Sequence, residues 1–181
     1  MAQTLSAMVS LQTPMPTFSL ADEHGTPCVL SDGSNGTLII FMCNHCPFVI
    51  HVAELLEEIH AICETSNIQM IGINSNDIEA YPEDSPENMR KISLRYNWTF
   101  PYLFDGDQEV AKAFQATCTP DIFLYAADQK LFYRGQFDAS RPSDGVATGL
   151  DLIHAIQALL RGDSPPCNQH PASGCNIKWK M

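Results

Sequence analysis

The run Thr37-Leu38-Ile39-Ile40-Phe41-Met42 passes through Cys43-Asn44-His45-Cys46 into a helical stripe, and this junction constrains the fold more than any other feature of the chain. The apolar run is bounded by Gly36 on one side and by cysteine on the other, and it reads as a buried strand. From Pro47 on, apolar residues recur at Phe48, Val49, Val52, Leu55, Leu56, Ile59 and Ile62. That i, i+3, i+4, i+7 spacing predicts a helix packed on one face, from about Asn44 to Cys63. A Cys-x-x-Cys therefore stands where a strand feeds a helix. Free backbone N–H groups and the helix dipole favour an anion there. A thiolate is an anion and is also the reactive form of cysteine.

The rest of the chain alternates in the same way. Residues up to about Pro16 read as a loose arm. Phe18-Ser19-Leu20 and Cys28-Val29-Leu30 read as short strands around an Asp22-Glu23-His24-Gly25 turn. Ile68–Ile73 is a second buried strand, with Met70 in the core, and Asn74 to Asp84 is a polar loop. Ser85-Pro86-Glu87 supplies an N-cap, a proline at the first helical position and an early acid, so a helix is expected to run to about Tyr96. Pro101–Phe104 reads as a strand and Gln108–Ala116 as a short helix with Val110, Ala113 and Phe114 inward. Ile122–Tyr125 and Lys130–Tyr133 read as a hairpin. Gly149–Arg161 reads as a terminal helix with Leu152, Ile153, Ile156, Leu159 and Leu160 on its apolar face, stopped by Gly162. The order β-β-β-α-β-α-β-α-β-β-α predicts an α/β layer fold around a central sheet. The tail from Asp163 to Met181 reads as irregular, yet Cys167, Cys175 and Trp179 would let it fold back onto the domain.

At 181 residues the chain fits one domain, expected over 14–162, with the tail at 163–181. No run of about 18 apolar residues occurs, so no membrane-spanning segment is expected. Met1 to Thr13 has neither a basic start nor a long apolar stretch and does not read as a signal peptide. A net charge of −11 argues against nucleic acid and anionic membranes as partners, because both would repel it. Seven cysteines is an odd number with no scaffold-like spacing. With no export signal read, the chain is expected in the cytoplasm, where most would be reduced thiols and a disulfide would be catalytic rather than structural.

Several chemistries compete for the dithiol. A structural zinc site needs about four ligands, and no second Cys-x-x-Cys exists. A Cu(I) carrier would use the two soft thiolates with a further ligand. The strand-to-helix context favours redox work. Cys46, placed three residues into the expected helix, would face inward and be the less acidic thiol. His45 would stabilise a Cys43 thiolate, since a neighbouring histidine cation lowers a cysteine pKa from about 8.5 toward about 3.5–7.5. The other reading of His45 is a solvated loop residue. Cys28 and Cys63 read as packing residues. His51, His60 and the Glu57-Glu58 pair read as a solvated face, and Arg134 and Arg141 as partners for the many carboxylates.

Three pieces together resemble the thioredoxin superfamily: a strand leading into Cys-x-x-Cys at a helix start, Thr119-Pro120 before a strand, and a closing hairpin plus helix. The added N-terminal segment and the insertion between Asn74 and Tyr102 resemble its peroxiredoxin-like branch, the alkyl hydroperoxide reductase and thiol-specific antioxidant group. Cys43-Asn44-His45-Cys46-Pro47-Phe48, Thr119-Pro120-Asp121 and Gly174-Cys175-Asn176-Ile177-Lys178-Trp179 are similar to a little-characterised redoxin subgroup. The chain departs from the thioredoxin pattern at Met42, Asn44-His45 and Thr37, and from the peroxiredoxin Pro-x-x-x-Thr-x-x-Cys at Ile40.

The resemblance implies a thioredoxin-like fold, a mixed sheet flanked by helices with extra N-terminal strands. It implies that Cys43 is the exposed nucleophile, that Cys46 resolves the mixed disulfide, and that Pro120 is cis with Thr119 against the cysteines, where its backbone can pair with an extended substrate peptide. The implied activity is thiol–disulfide exchange in cell redox homeostasis, with no metal or organic cofactor. The substrate would be a protein or small-molecule disulfide, and the electron donor a thioredoxin or glutathione system. The alternative is a thiol-dependent, antioxidant peroxidase. Redoxins of this branch often pair, which makes a homodimer an expectation of the same kind. Cys118, two residues before Pro120, reads as a core thiol or as a group facing the site. Cys167 and Cys175 read as reduced tail residues or as a third relay thiol.

Overall fold

A computed structural model describes residues 3–31 and 33–181. Its main sheet has five strands in the order β4-β3-β2-β6-β7: β2 is Gly36–Phe41, β3 Ile68–Asn74, β4 Tyr102–Phe104, β6 Asp121–Ala126 and β7 Leu131–Gly135. β2 runs parallel to β3 and antiparallel to β6, so the sheet is mixed. All six residues of β2 are buried. A central strand covered on both faces has to be a continuous apolar run, as this one is, rather than an alternating one.

The pleat sends successive residues to opposite sides. Leu38 and Ile40 enter a core shared with helix α1 (Pro47–Thr65), helix α2 (Pro86–Tyr96) and helix α4 (Leu150–Leu160). Ile39 and Phe41 enter a second core with helix α3 (Glu109–Phe114), Phe123 and Met15. α1 buries Val49, Val52, Ala53, Leu56, Ile59 and Cys63. α2 begins as expected, with the Ser85 hydroxyl accepting from the Asn88 N–H, and it ends at Asn97 in the left-handed region. α3 turns Ala111 inward rather than Ala113, and α4 buries Ala155 and Ala158 while Leu160 stays exposed. Beneath the β6–β7 hairpin, Arg134 and Asp121 form a fully buried ion pair, and the guanidinium lies 3.8 Å over the Phe123 ring.

Three expectations change. Residues 18–20 and 28–30 do not form ladder strands. The Asp22–Gly25 turn is present, with the Asp22 carboxylate accepting from the His24 and Thr26 N–H groups, and it is flanked only by an Ala21–Pro27 bridge. Phe18, Leu20, Cys28 and Leu30 instead lie half-buried on the second core. The N-terminal arm is not loose: strand β1 (Gln3–Leu5) is paired, and Met15 is buried (residues 1 and 2 lie outside the described residues). The tail is not irregular throughout. Strand β8 (Ser173–Asn176) lies between β1 and the two-residue strand β5 (Cys118–Thr119) in a second, three-stranded sheet. No helix among the described residues is long and apolar enough to cross a membrane.

Candidate active site

The central strand β2 delivers Cys43 just past its C-terminal end, one residue beyond Met42, whose N–H still bonds the Ile73 carbonyl at 2.8 Å. The helix starts later than the apolar stripe suggests. Pro47 is its first residue and Cys46 its N-cap, in extended conformation (φ −70°, ψ 122°). Proline is well placed at N1, where its missing N–H costs nothing. Cys43 therefore lies outside the helix, and Cys46 is the sulfur at its N-terminus.

Cys43 is 1% exposed and Cys46 is fully buried, so neither is the open nucleophile implied by the resemblance. Next to Cys46, the Cys43 thiol is held well above its ordinary range: it keeps the proton it shares with Cys46, burial disfavours its charge, and the Asp84 carboxylate repels it. Cys46 is lowered to about 5, first by the Cys43 S–H, against the cost of burial, and then by Thr119, Cys175 and the Val49 N–H. Val49 is N3 of α1, so its amide is one of the orphan donors at the helix start. When protonated, Cys46 instead donates to the Thr119 carbonyl oxygen at 3.1 Å. Of the two sulfurs, Cys46 is the one carried by the N-cap residue of α1.

The Thr119–Pro120 bond is cis, as the resemblance implies. The Thr119 hydroxyl is 3.4 Å from the Cys43 sulfur, so Thr119 contacts both cysteines, one through its side chain and one through its carbonyl. Beside Pro120 a cleft is lined by Phe48, His51, Gln136, Arg141 and Ser173.

A His45 ring nitrogen lies within 4.8 Å of the Cys43 sulfur, but its nearer partner is Asp84. The His45 Nδ1 is 2.7 Å from the Asp84 carboxylate, and its ring stacks on Tyr81 at 5.8 Å. The Asp84 contact raises the histidine's pKa, against the opposing effect of burial. The cation His45 would supply is therefore neutralised by Asp84. Asp84 is itself fully buried and accepts from the Asn44 N–H at 2.8 Å and the Asn76 amide at 2.7 Å. Tyr102 completes this wall by donating to the Asn44 side chain at 3.0 Å. Asp84 was not singled out from the sequence, where it is one acid in a polar loop. The only available signal was its place beside the Ser85-Pro86 helix start.

Cys43, His45 and Asp84 form the one group of three potential metal ligands found among the described residues, with donor atoms within 4.8 Å of one another. Two of these donor atoms, His45 Nδ1 and an Asp84 carboxylate oxygen, lie 2.7 Å apart.

The remaining cysteines separate clearly. Cys63 and Cys118 are buried, and burial pushes Cys63 up to about 12 and Cys118 higher still. Cys28 is half-buried and Cys167 exposed. Cys175 sits opposite Thr119 in the β5–β8 ladder, beside Cys46. Burial first, and Cys46 second, push it up to about 12. The tail motif around it is anchored: Ile177 is buried in the second core, the Lys178 N–H bonds Asn76 at 2.8 Å, and the Lys178 carbonyl accepts from Gln108 at 2.8 Å. Trp179 is exposed and does not dock the tail. Arg134 is paired with Asp121. Arg141 bonds the Asp138 and Ser140 carbonyls and Gln136 rather than a carboxylate.

The AhpC/TSA family model matches residues 11–134. A hypothetical protein from Sinorhizobium meliloti 1021 is 40% identical, covering 98% of this chain and 99% of its own, with a TM-score of 0.95. An uncharacterized conserved protein from Geobacillus kaustophilus is 44% identical, covering 99% and 97%, also with a TM-score of 0.95. A thiol:disulfide interchange protein of the thioredoxin family from Chlorobium tepidum is 17% identical, covering 85% and 99%, with a TM-score of 0.64, and that likeness shows a thioredoxin-like fold. No curated protein matches the chain.

Proposed function

We propose that this chain, which belongs to the AhpC/TSA family, is a thiol–disulfide oxidoreductase working through the Cys43–Cys46 dithiol. The observation that carries this reading is the Cys46 sulfur at the N-cap of α1, with a second thiol beside it and Thr119-Pro120 against both. The Cys46 thiolate attacks one sulfur of a substrate disulfide, forming a mixed disulfide and releasing the other substrate thiolate. Cys43 then attacks the Cys46 sulfur and gives its proton to the departing thiol. The products are a Cys43–Cys46 disulfide and a reduced substrate. A thioredoxin-like or glutathione-like thiol donor resets the pair. These roles invert those carried over from the resemblance, because the helix N-terminus and its N–H groups are at Cys46.

The peroxidase reading draws support from one feature, the acidified sulfur at a helix start in a member of this family. A hydroperoxide would oxidise Cys46 to a sulfenic acid, which Cys43 would condense with, releasing water. Against it, Arg134 is neutralised by Asp121 rather than free to polarise a peroxide.

Insulin-disulfide reduction and stopped-flow hydrogen peroxide reduction separate the two. The expected result is insulin turnover that is lost in Cys46→Ser. Fast peroxide reduction by a protein inert toward disulfides would overturn the proposal.

A further inference from the structure

The C-terminal strand occupies the place where a substrate peptide would bind. β8 pairs antiparallel with β5, with Cys175 opposite Thr119 and Asn176 opposite Cys118. This is strand addition to a short, otherwise open edge, the way extended peptides are recognised in general. The approach is unusually close: a Cβ at Gly174 would lie 2.0 Å from the Thr119 carbonyl oxygen and 3.2 Å from the Pro120 nitrogen, so only glycine fits. The strand is held from three sides, by β1 in register with it (Gln3 opposite Cys175), by the buried Ile177, and by Lys178 on Asn76 and Gln108. That anchoring places a cysteine, buried and in the same core cluster as Cys43 and Cys46, beside the Cys46 sulfur.

We propose that Cys175 is the third thiol of this centre, a built-in substrate cysteine that exchanges onto Cys46. The proposal rests on the dithiol reading above. The Cys175 sulfur attacks the Cys46 sulfur of the Cys43–Cys46 disulfide. The Cys46–Cys175 bond forms, the Cys43–Cys46 bond breaks, and the Cys175 proton passes to the departing Cys43 sulfur. No net oxidation occurs, so no further oxidant is needed. Cys46 is the common neighbour of both thiols, which makes it the sulfur retained in either disulfide. Burial is the main reason Cys175 holds its proton, and the Cys46 charge is a further one. The second cause disappears once Cys46 is in a disulfide. The same step gives a mixed disulfide on Cys46 an internal route of release when Cys43 is absent.

The test uses the full chain as parent, Cys43→Ser, Cys175→Ser and the double variant. Each is oxidised with one equivalent of diamide, alkylated, digested and mapped by mass spectrometry. A Cys46–Cys175 peptide is expected from the parent alongside Cys43–Cys46, and as the principal disulfide of Cys43→Ser. With a model disulfide substrate, Cys43→Ser should not accumulate a mixed disulfide, whereas the double variant should. A Cys43→Ser protein that keeps Cys175 fully alkylatable, with no Cys46–Cys175 peptide in the parent either, overturns the proposal. If the parent still turns over insulin in that case, only the role of Cys175 fails. If the Cys46–Cys175 bond forms and insulin is untouched, the exchange reading fails alone.

Discussion

Gly174 presses its backbone against Thr119 so tightly that a methyl group at its α-carbon would overlap the Thr119 carbonyl oxygen. Gly174→Ala should therefore push β8 away from β5. Overpacking of this kind costs about 1–3 kcal/mol. If alkylation of the buried dithiol proceeds through opening of this contact, its rate should rise roughly 5- to 150-fold. Timed iodoacetamide labelling with mass mapping reads this directly. An unchanged rate at Cys43 and Cys46 would show that β8 does not seal the pair.

Asp84 repels charge on the Cys43 sulfur. Asp84→Asn should lower the Cys43 pKa, while the shared proton with Cys46 and burial still hold it above the ordinary value. The change is read from the pH profile of Cys43 alkylation, with circular dichroism to confirm that the buried Asn44–Asn76 network survives. A Cys43 profile that stays put would remove Asp84 from the groups that keep Cys43 neutral.

The His45–Asp84 pair makes a separate, pH-dependent contribution. The histidine's pKa is raised in the folded state. Its stabilisation is therefore fully present below about pH 6.5, the ordinary histidine value, and is lost as the pH rises through the raised folded value. Urea unfolding across this range should show stability declining with pH, and His45→Gln should flatten that slope. An equal slope in the variant would assign it to other groups.

Much of this arrangement was legible in the residues because it is local. The apolar run ending at Met42, the stripe from Val49 to Cys63 and the Ser85-Pro86 cap each record a contact made within a few positions, and the structure returns them nearly in place. The helix start was misplaced by three residues, although Pro47 is a proline of the kind that marks the first helical position. That small error decided which cysteine receives the helix N-terminus. The β1–β8 pairing joins Gln3 to Cys175, and such distant partners leave no periodicity in either three- or four-residue strand. Asp84 and Asn76 were illegible for a related reason: a polar loop reads as solvated until tertiary contacts bury it.

The Arg134–Asp121 pair beneath the hairpin should be costly to break singly. Both side chains are fully buried, and burial raises the Asp121 pKa despite its partner. Arg134→Met alone should lose about 3–5 kcal/mol, because it strands a buried carboxylate. Adding Asp121→Leu should recover a large part of that loss in urea unfolding. A double variant no more stable than the single one would mean that the pair organises more than its own charges.

The central claim is that ionisation of this dithiol belongs to Cys46, and alkylation of each cysteine as a function of pH, mapped by mass spectrometry on the intact reduced chain, tests it most directly. Cys46 should become reactive in the mildly acidic range, with Cys43 still protonated well above the ordinary cysteine value. If Cys43 titrates first, or both thiols titrate together as free cysteines do, the helix N-terminus does not govern this site and the account is wrong.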